Sequence, residues 1–286
     1  MDKKEVVITG ATRGIGYFTA QHLVARGYSV SLVARDPVRL KQAQNHLKAL
    51  ADGATSVRTF QADLSSIAET KGLAATLRDE LPTIDILLNN AGALFTKRYE
   101  TPEGHEKTLA LNHYAYFTLT LELLPQLRAS KAPRIISVAS DAHVRGRMHW
   151  EDLNFQKSYG FGGWSAYCQS KLANVLFVRE LSRRLGTERI ARASLHPGFV
   201  SSHFGKDEKS WMRLFMAITR PLQRSVPEGA STLIWAATSP EANDLCGDYL
   251  KDSKISAPSS RAQSRECAQR LWEHSLSVCG YTECPI

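Results

Sequence analysis

Tyr167 and Lys171, four positions apart, put a phenol and an ammonium on one face of any helix that carries them. A phenol with a reference pKa near ~10 is a poor acid or base at neutral pH, and a neighbouring ammonium favours phenolate. Such a pair can give a proton to a carbonyl oxygen or take one from an alcohol. By itself, the spacing describes an ordinary helix surface equally well. A hydroxyl shifts the balance. Ser140 closes the run Ser137-Val138-Ala139-Ser140 at the carboxyl end of an apolar strand, the end that faces the ligand crevice in open α/β sheets. Ser140, rather than Ser137, is expected to hydrogen-bond the substrate oxygen.

A second chemistry lies near the N-terminus, where a Val-Val-Ile strand runs into Thr9-Gly10-Ala11-Thr12-Arg13-Gly14-Ile15-Gly16 and then a helix. Glycines let the backbone turn sharply and approach a phosphate, and the helix start supplies free N–H groups with partial positive charge. Gly10, Thr12, Arg13, Gly14, Ile15 and Gly16 are therefore expected to cradle a pyrophosphate. The end of the second strand reads Val33-Ala34-Arg35-Asp36. The small Ala34 stands where an acid would bind the ribose 2′-OH of NAD, while Arg35 and Arg13 offer forked donors to a 2′-phosphate. This points to NADP. The plainer alternative makes Arg35 a surface residue and Asp36 only a helix cap.

These residues need elements to position them. Apolar, β-branched runs predict strands near 5–9, 29–33, 56–60, 85–89, 133–138 and 191–195, and helical periodicity lies near 15–26, 38–50, 66–80, 104–128, 165–186 and 227–238. Residues 270–273 read as part of a last helix. Strand–helix alternation implies an α/β fold, a doubly wound parallel sheet of Rossmann type, here as a single domain. Asp36-Pro37 is a cap followed by proline in the first helical turn.

Further segments complete a pattern: Asn89-Asn90-Ala91-Gly92 after the fourth strand, Asn112 in the next helix, and Pro197-Gly198 after the sixth strand. With the glycine turn, Ser140 and the Tyr167/Lys171 pair in this order, the sequence resembles the short-chain dehydrogenase/reductase family over essentially its whole length. The resemblance implies a catalytic set of Asn112, Ser140, Tyr167 and Lys171. In it, Asn112 holds a water chain that relays the proton past Lys171, and Tyr167 and Lys171 also contact the cofactor, Lys171 through the nicotinamide ribose. It further implies cofactor contacts from Asn90, Ala91, Gly92, Pro197, Gly198 and Val200. Asp63-Leu64 resembles the family's adenine-pocket element, although Asp63 reads as well as a helix N-cap.

Ser140 and Tyr167 are 27 positions apart, and the insert holds Asp141-Ala142-His143, Trp150-Glu151-Asp152-Leu153 and the run 159–164 of glycines and aromatics. With Ser170-Lys171-Leu172-Ala173-Asn174 and His196-Pro197-Gly198, this looks like the retinol dehydrogenase-like branch. The branch implies a small apolar carbonyl/alcohol substrate, retinoid-like or otherwise lipophilic, with reduction favoured by an NADP-type corner. Residues 201–223 carry Trp211, Phe215, Ile218 and Leu222 on one stripe. They are expected to form a substrate lid, with an oligomer contact, a peripheral membrane-surface helix or plain core as alternatives.

Composition excludes other classes. The chain has 286 residues, 43% of them hydrophobic, enough for a substantial core. No apolar stretch approaches the ~20 residues of a membrane span. No signal-like segment opens the chain, and five cysteines without a C-x-x-C pair suit a reduced, cytoplasmic setting. Nine histidines form no ligand cluster, so no metal is expected. The net charge of +8 is scattered rather than gathered in a tract, which argues against nucleic acid. Two long helices, at 104–128 and 165–186, could pair in a homo-oligomer or simply cover the sheet. A catalytically silent NADP-binding sensor is the main alternative to an enzyme, but such a protein would usually lack the tyrosine or the lysine.

Overall fold

Alternate residues of the first strand, Val6 and Ile8 on one side and Val7 on the other, are all fully buried, so the sheet is covered on both faces. The computed structural model describes residues 3–199 and 223–286. Its strands are β1 (Glu5–Thr9), β2 (Ser29–Ala34), β3 (Val57–Gln61), β4 (Ile86–Asn89), β5 (Arg134–Val138), β6 (Ala191–His196), β7 (Cys246–Lys251) and β8 (Lys254–Ser256). They form one sheet in the order β3-β2-β1-β4-β5-β6-β7-β8, parallel except for the antiparallel β7–β8 pair. The result is a doubly wound, Rossmann-type α/β fold. Chain order reverses between β1 and β4, which opens a crevice beyond their carboxyl ends.

The helices are α1 (Gly14–Val24), α2 (Pro37–Lys48), α3 (Ile67–Glu80), α4 (Lys107–Leu109), α5 (Ala115–Glu122), α6 (Leu124–Arg128), α7 (Trp164–Leu185), α8 (Val226–Thr238) and α9 (Arg265–Val278). One apolar layer holds residues of α1, α2 and α8, and the other holds residues of α3, α5, α7 and α9. Side-chain caps start many of them. Asp36 accepts from Val38 N and Arg39 N, Ser264 caps α9, and Ser225 with Glu228 forms a full capping box on α8.

Three expectations need correction. The helix expected over 104–128 is three helices: α4 runs through a π-helical turn, Ala110–Tyr114, into α5, and the chain breaks at Leu123 before α6, where Pro125 sits in the first turn. Asp63 does not cap α3. It accepts from Ser65 N and Oγ in a local turn, and Ser66 is the cap. Finally, β7 and β8 extend the sheet beyond the six strands read from the sequence. Their two-residue hairpin, Asp252-Ser253, has φ of +53° and +58°, a twist-matched turn built without glycine. Val200 and the 201–222 part of the expected lid lie outside the described residues.

Candidate active site

The glycine turn sits at the β1/β4 crevice. Gly10 and Gly14 take φ of +68° and +59°, conformations that favour glycine. A Cβ on Gly16 would lie 2.3 Å from Asn90 Nδ2, so only glycine lets α1 approach the β4 loop. Asn90 Nδ2 donates to Thr9 O at 2.8 Å, and Thr9 Oγ1 accepts from Asn90 N and Ala91 N at 2.8 and 2.9 Å, which locks the two strand ends together. The start of α1 receives no side-chain cap and has no acid in its first turn. Its N–H donors can therefore serve an anion, and the bare Gly10–Gly16 backbone lets a phosphate come close. These residues fit the pyrophosphate of a dinucleotide.

At the end of β2, Arg35 is exposed while Asp36 is fully engaged. The Asp36 Oδ1 atom accepts from Val38 N and Arg39 N at 3.0 and 3.1 Å, and Oδ2 pairs with Arg39 Nε at 3.1 Å. The acid that could have served a ribose hydroxyl is thus spent as a cap. Arg13 lines a cleft of about 350 Å³ with Thr12, Tyr17, Arg39, Gln42, Ala43 and His46. Arg39 and His46 were not singled out from the sequence; a further arginine one turn into α2 was the available signal. Across the corner lies Asp63, with Leu64 buried behind it. Burial opposes the Asp63 charge, but hydrogen bonds from Ser65, with Lys107 and Arg35 nearby, hold the carboxyl below its usual range.

The four polar side chains converge beyond β5. Tyr167 and Lys171 lie on consecutive turns of α7, and both are buried. Ser140 follows β5, hydrogen-bonds the Tyr167 side chain and caps a 3-10 turn through Ala142 N, whereas Ser137 is fully buried inside the strand. Lys171 Nζ donates to Val138 O at 2.8 Å and lies 5.7 Å from the Tyr167 ring centre. Asn112, in the π-helical turn, uses its amide on Ala93 N, Ala93 O and Ser170 Oγ at 2.9, 3.0 and 2.9 Å. A Cβ on Gly92 would sit 3.1 Å from Asn112 Oδ1 and 3.4 Å from Lys171 Nζ, so that glycine is the floor between them.

Electrostatics here depart from the simple expectation. Burial raises the Tyr167 phenol above its ordinary value, countered by the Ser140 hydrogen bond, and burial pushes Lys171 down to about 7. In a desolvated site both charged forms are penalised, and the ammonium is spent on a carbonyl rather than on the phenol oxygen. Tyr167 is therefore held as a protonated donor. Beside it, Leu94, Ala142 and Cys168 form a small apolar cluster with Trp164, whose indole stacks on the Tyr167 ring at 5.7 Å. Cys168 is an inert buried thiol, raised to about 12 by desolvation. After β6, Gly198 has φ of +86°, and a Cβ there would meet Arg224 Cδ at 2.5 Å.

Comparison with known proteins gives this geometry a lineage. The family model described as short chain dehydrogenase matches residues 4–152. Human retinol dehydrogenase 12 is 35% identical over 97% of this chain and 86% of its own length. A Mycobacterium paratuberculosis protein of solved structure superposes with a TM-score of 0.79 at 30% identity, covering 99% of this chain and 95% of that one. The Pseudomonas aeruginosa RhlG/NADP active-site complex does so with a TM-score of 0.69 at 28% identity, covering 86% and 93%. Similarity of this extent, on a sheet whose switch point carries the glycine turn, makes the chain a member of the short-chain dehydrogenase family: a retinol dehydrogenase-like oxidoreductase of the kind that uses a nicotinamide cofactor and a small-molecule substrate.

Proposed function

We propose that the protein is an NADP(H)-dependent oxidoreductase that reduces the carbonyl of an apolar aldehyde or ketone. The observation that carries this reading is Tyr167: a buried phenol, kept protonated by desolvation, hydrogen-bonded to Ser140 and one helical turn from Lys171. When bound, the reduced nicotinamide supplies the hydride. Ser140 then holds the substrate oxygen, and Tyr167 gives it the proton. Lys171, poised near neutrality, and Asn112 complete the path by which that proton is replaced. Gly10, Thr12, Arg13, Gly14, Ile15 and Gly16 would hold the phosphates of the dinucleotide, Arg35, Asp63 and Leu64 its adenosine end, and Asn90, Ala91, Gly92, Pro197 and Gly198 its nicotinamide end, to which the sequence pattern adds Val200.

Preference for NADP is supported by the exposed Arg35, by Arg13 and Arg39 around the adjoining cleft, and by the loss of Asp36 to helix capping. The RhlG relative was solved with NADP. An apolar substrate suits the wall of Leu94, Ala142, Cys168 and Trp164 beside the phenol. A cytoplasmic setting suits five free cysteines. A silent sensor is disfavoured, because all four polar groups of the set are present and adjacent.

Cofactor choice is tested by NADPH and NADH affinities measured by fluorescence titration. Arg35→Ala is expected to weaken NADPH binding by roughly tenfold, about 1.4 kcal/mol for one charge-assisted contact, with little change for NADH. An unchanged NADPH/NADH ratio would overturn the assignment.

A further inference from the structure

The last ladder bond of β5, Ala139 N to Leu195 O at 2.8 Å, comes just before Ser140. Beyond it the chain leaves the sheet, so the aim of the Ser140 hydroxyl depends on the peptide that joins Ser140 to Asp141. Both ends of that peptide are gripped by imidazoles. Ser140 O accepts from His143 Nδ1 at 2.8 Å, and Asp141 N donates to His196 Nδ1 at 3.1 Å. The tautomers follow. His143 Nε2 accepts from Ser259 N at 3.0 Å, so its proton is on Nδ1. His196 Nδ1 is an acceptor, so its proton is on Nε2, which faces Asp141 Oδ2 at 3.3 Å. Burial keeps the His196 pKa at about 4, and the ring is neutral at physiological pH.

The Asp141 carboxylate has two more donors, Tyr249 Oη on Oδ1 at 2.8 Å and Lys251 Nζ on Oδ2 at 2.7 Å, both from β7. Register places Lys251 beside His196 on the neighbouring strand. Arg224, paired with Asp252 at 2.5 Å, packs over Gly198 at the edge of the same cluster. This is more bonding than a half-exposed carboxylate needs for stability, since exposed ion pairs contribute little. What it does fix is which nitrogen of His196 carries the proton, and hence whether that ring can accept from the peptide after Ser140.

We propose that Asp141 is a positioning residue: it holds His196 in the Nε2–H form, His196 holds the Ser140–Asp141 peptide, and that peptide aims the Ser140 hydroxyl at Tyr167 and the substrate oxygen. The proposal rests on the reductase reading only for its kinetic consequence. Asp141→Asn leaves a neutral amide oxygen, shared with Lys251, as the only acceptor facing His196 Nε2–H, with the amide N–H turned to the Tyr249 hydroxyl. The charge-assisted hold on the Nε2–H form is lost, and the ring shifts toward the Nδ1–H form.

Two measurements test it. Imidazole 15N NMR of histidine-labelled protein, with the His196 signal identified by its loss in His196→Asn, should show Nε2–H in the wild type and a shift toward Nδ1–H in Asp141→Asn. A wild-type ring protonated on Nδ1, or an unchanged tautomer in the variant, overturns the proposal whether or not any substrate turns over. In turnover, Asp141→Asn should lower kcat by roughly 10- to 100-fold with NADPH affinity within about twofold of wild type. In a Ser140→Ala background it should change kcat by less than about twofold, because the group it aims is gone. Equal losses in the two backgrounds would make Asp141 a general structural residue and refute the proposal. If Asp141→Asn does not fold, Lys251→Met removes one donor from the same carboxylate at a half-exposed position, and its kcat loss should likewise vanish in Ser140→Ala. Failure of the reductase reading shows separately, as no turnover in wild-type protein whose His196 tautomer is nonetheless the expected one.

Discussion

Lys171 is where residue-scale chemistry departs most from its neighbourhood. Its ammonium is buried among apolar and neutral groups, with its pKa pushed down to about 7. Between that value and the unfolded value near ~10.4, the unfolded chain binds a proton that the folded chain does not, so folding stability rises with pH across that window. Below pH 7 the full cost of burying the charge is present. Lys171→Met is therefore expected to be more stable than wild type by about 1–3 kcal/mol at pH 6, with the advantage fading toward pH 10. Denaturant unfolding at the two pH values checks this; equal stability at pH 6 would mean that Lys171 is solvated. At this scale much was legible. A four-residue spacing on an amphipathic run placed Tyr167 and Lys171 together, and the end of an apolar strand singled out Ser140 over the buried Ser137. The direction of the Tyr167 shift was not legible, because it is set by desolvation and not by the neighbour in sequence. Asp141 stood in the insert after Ser140, but its role was not legible there, because its partners His196, Tyr249 and Lys251 are far from it in sequence.

Among the elements, the glycine turn is the part most tightly constrained by sequence. Gly16→Ala would place a methyl 2.3 Å from Asn90 Nδ2 and 2.6 Å from Gly10 O. It should cost about 1–3 kcal/mol of stability and at least tenfold in NADPH affinity, seen in thermal unfolding and fluorescence titration. Wild-type affinity in that variant would remove the turn from the cofactor site. The long helix expected over 104–128 shows what periodicity conceals. Apolar spacing continues through the π-helical turn at Ala110–Tyr114, and one extra residue in that turn goes unseen in a hydrophobic pattern. The break before Pro125 could have been read. β7 could not easily have been: Gly247, with φ of +87°, faces a register shift between Arg192 and Ala193 and interrupts the strand pattern.

The whole molecule is organised around α7. From Ala166 to Val178 every residue is buried, so this helix is covered on all sides by its own chain. Trp272 of α9 stacks on Phe177 and meets Phe117 edge-on at 5.0 Å, and Arg184 lies over its indole. Within the chain, α9 is what packs against the helix expected over 165–186. Trp272→Ala should lower stability by about 3–5 kcal/mol in urea unfolding, and a loss below 1 kcal/mol would mean that α9 is not part of the core. Because α7 also carries Tyr167 and Lys171, its buried seat is what holds the Tyr167 phenol against Ser140. Among the described residues no helix is long and apolar enough to cross a membrane. The central claim is that Tyr167 protonates a carbonyl at this site. The most direct test follows NADPH oxidation with apolar aldehydes and ketones, retinal included, in wild type and Tyr167→Phe. Turnover in the wild type that falls at least 1,000-fold in the variant, with NADPH still bound, is the predicted result. Turnover that survives in Tyr167→Phe would contradict the account.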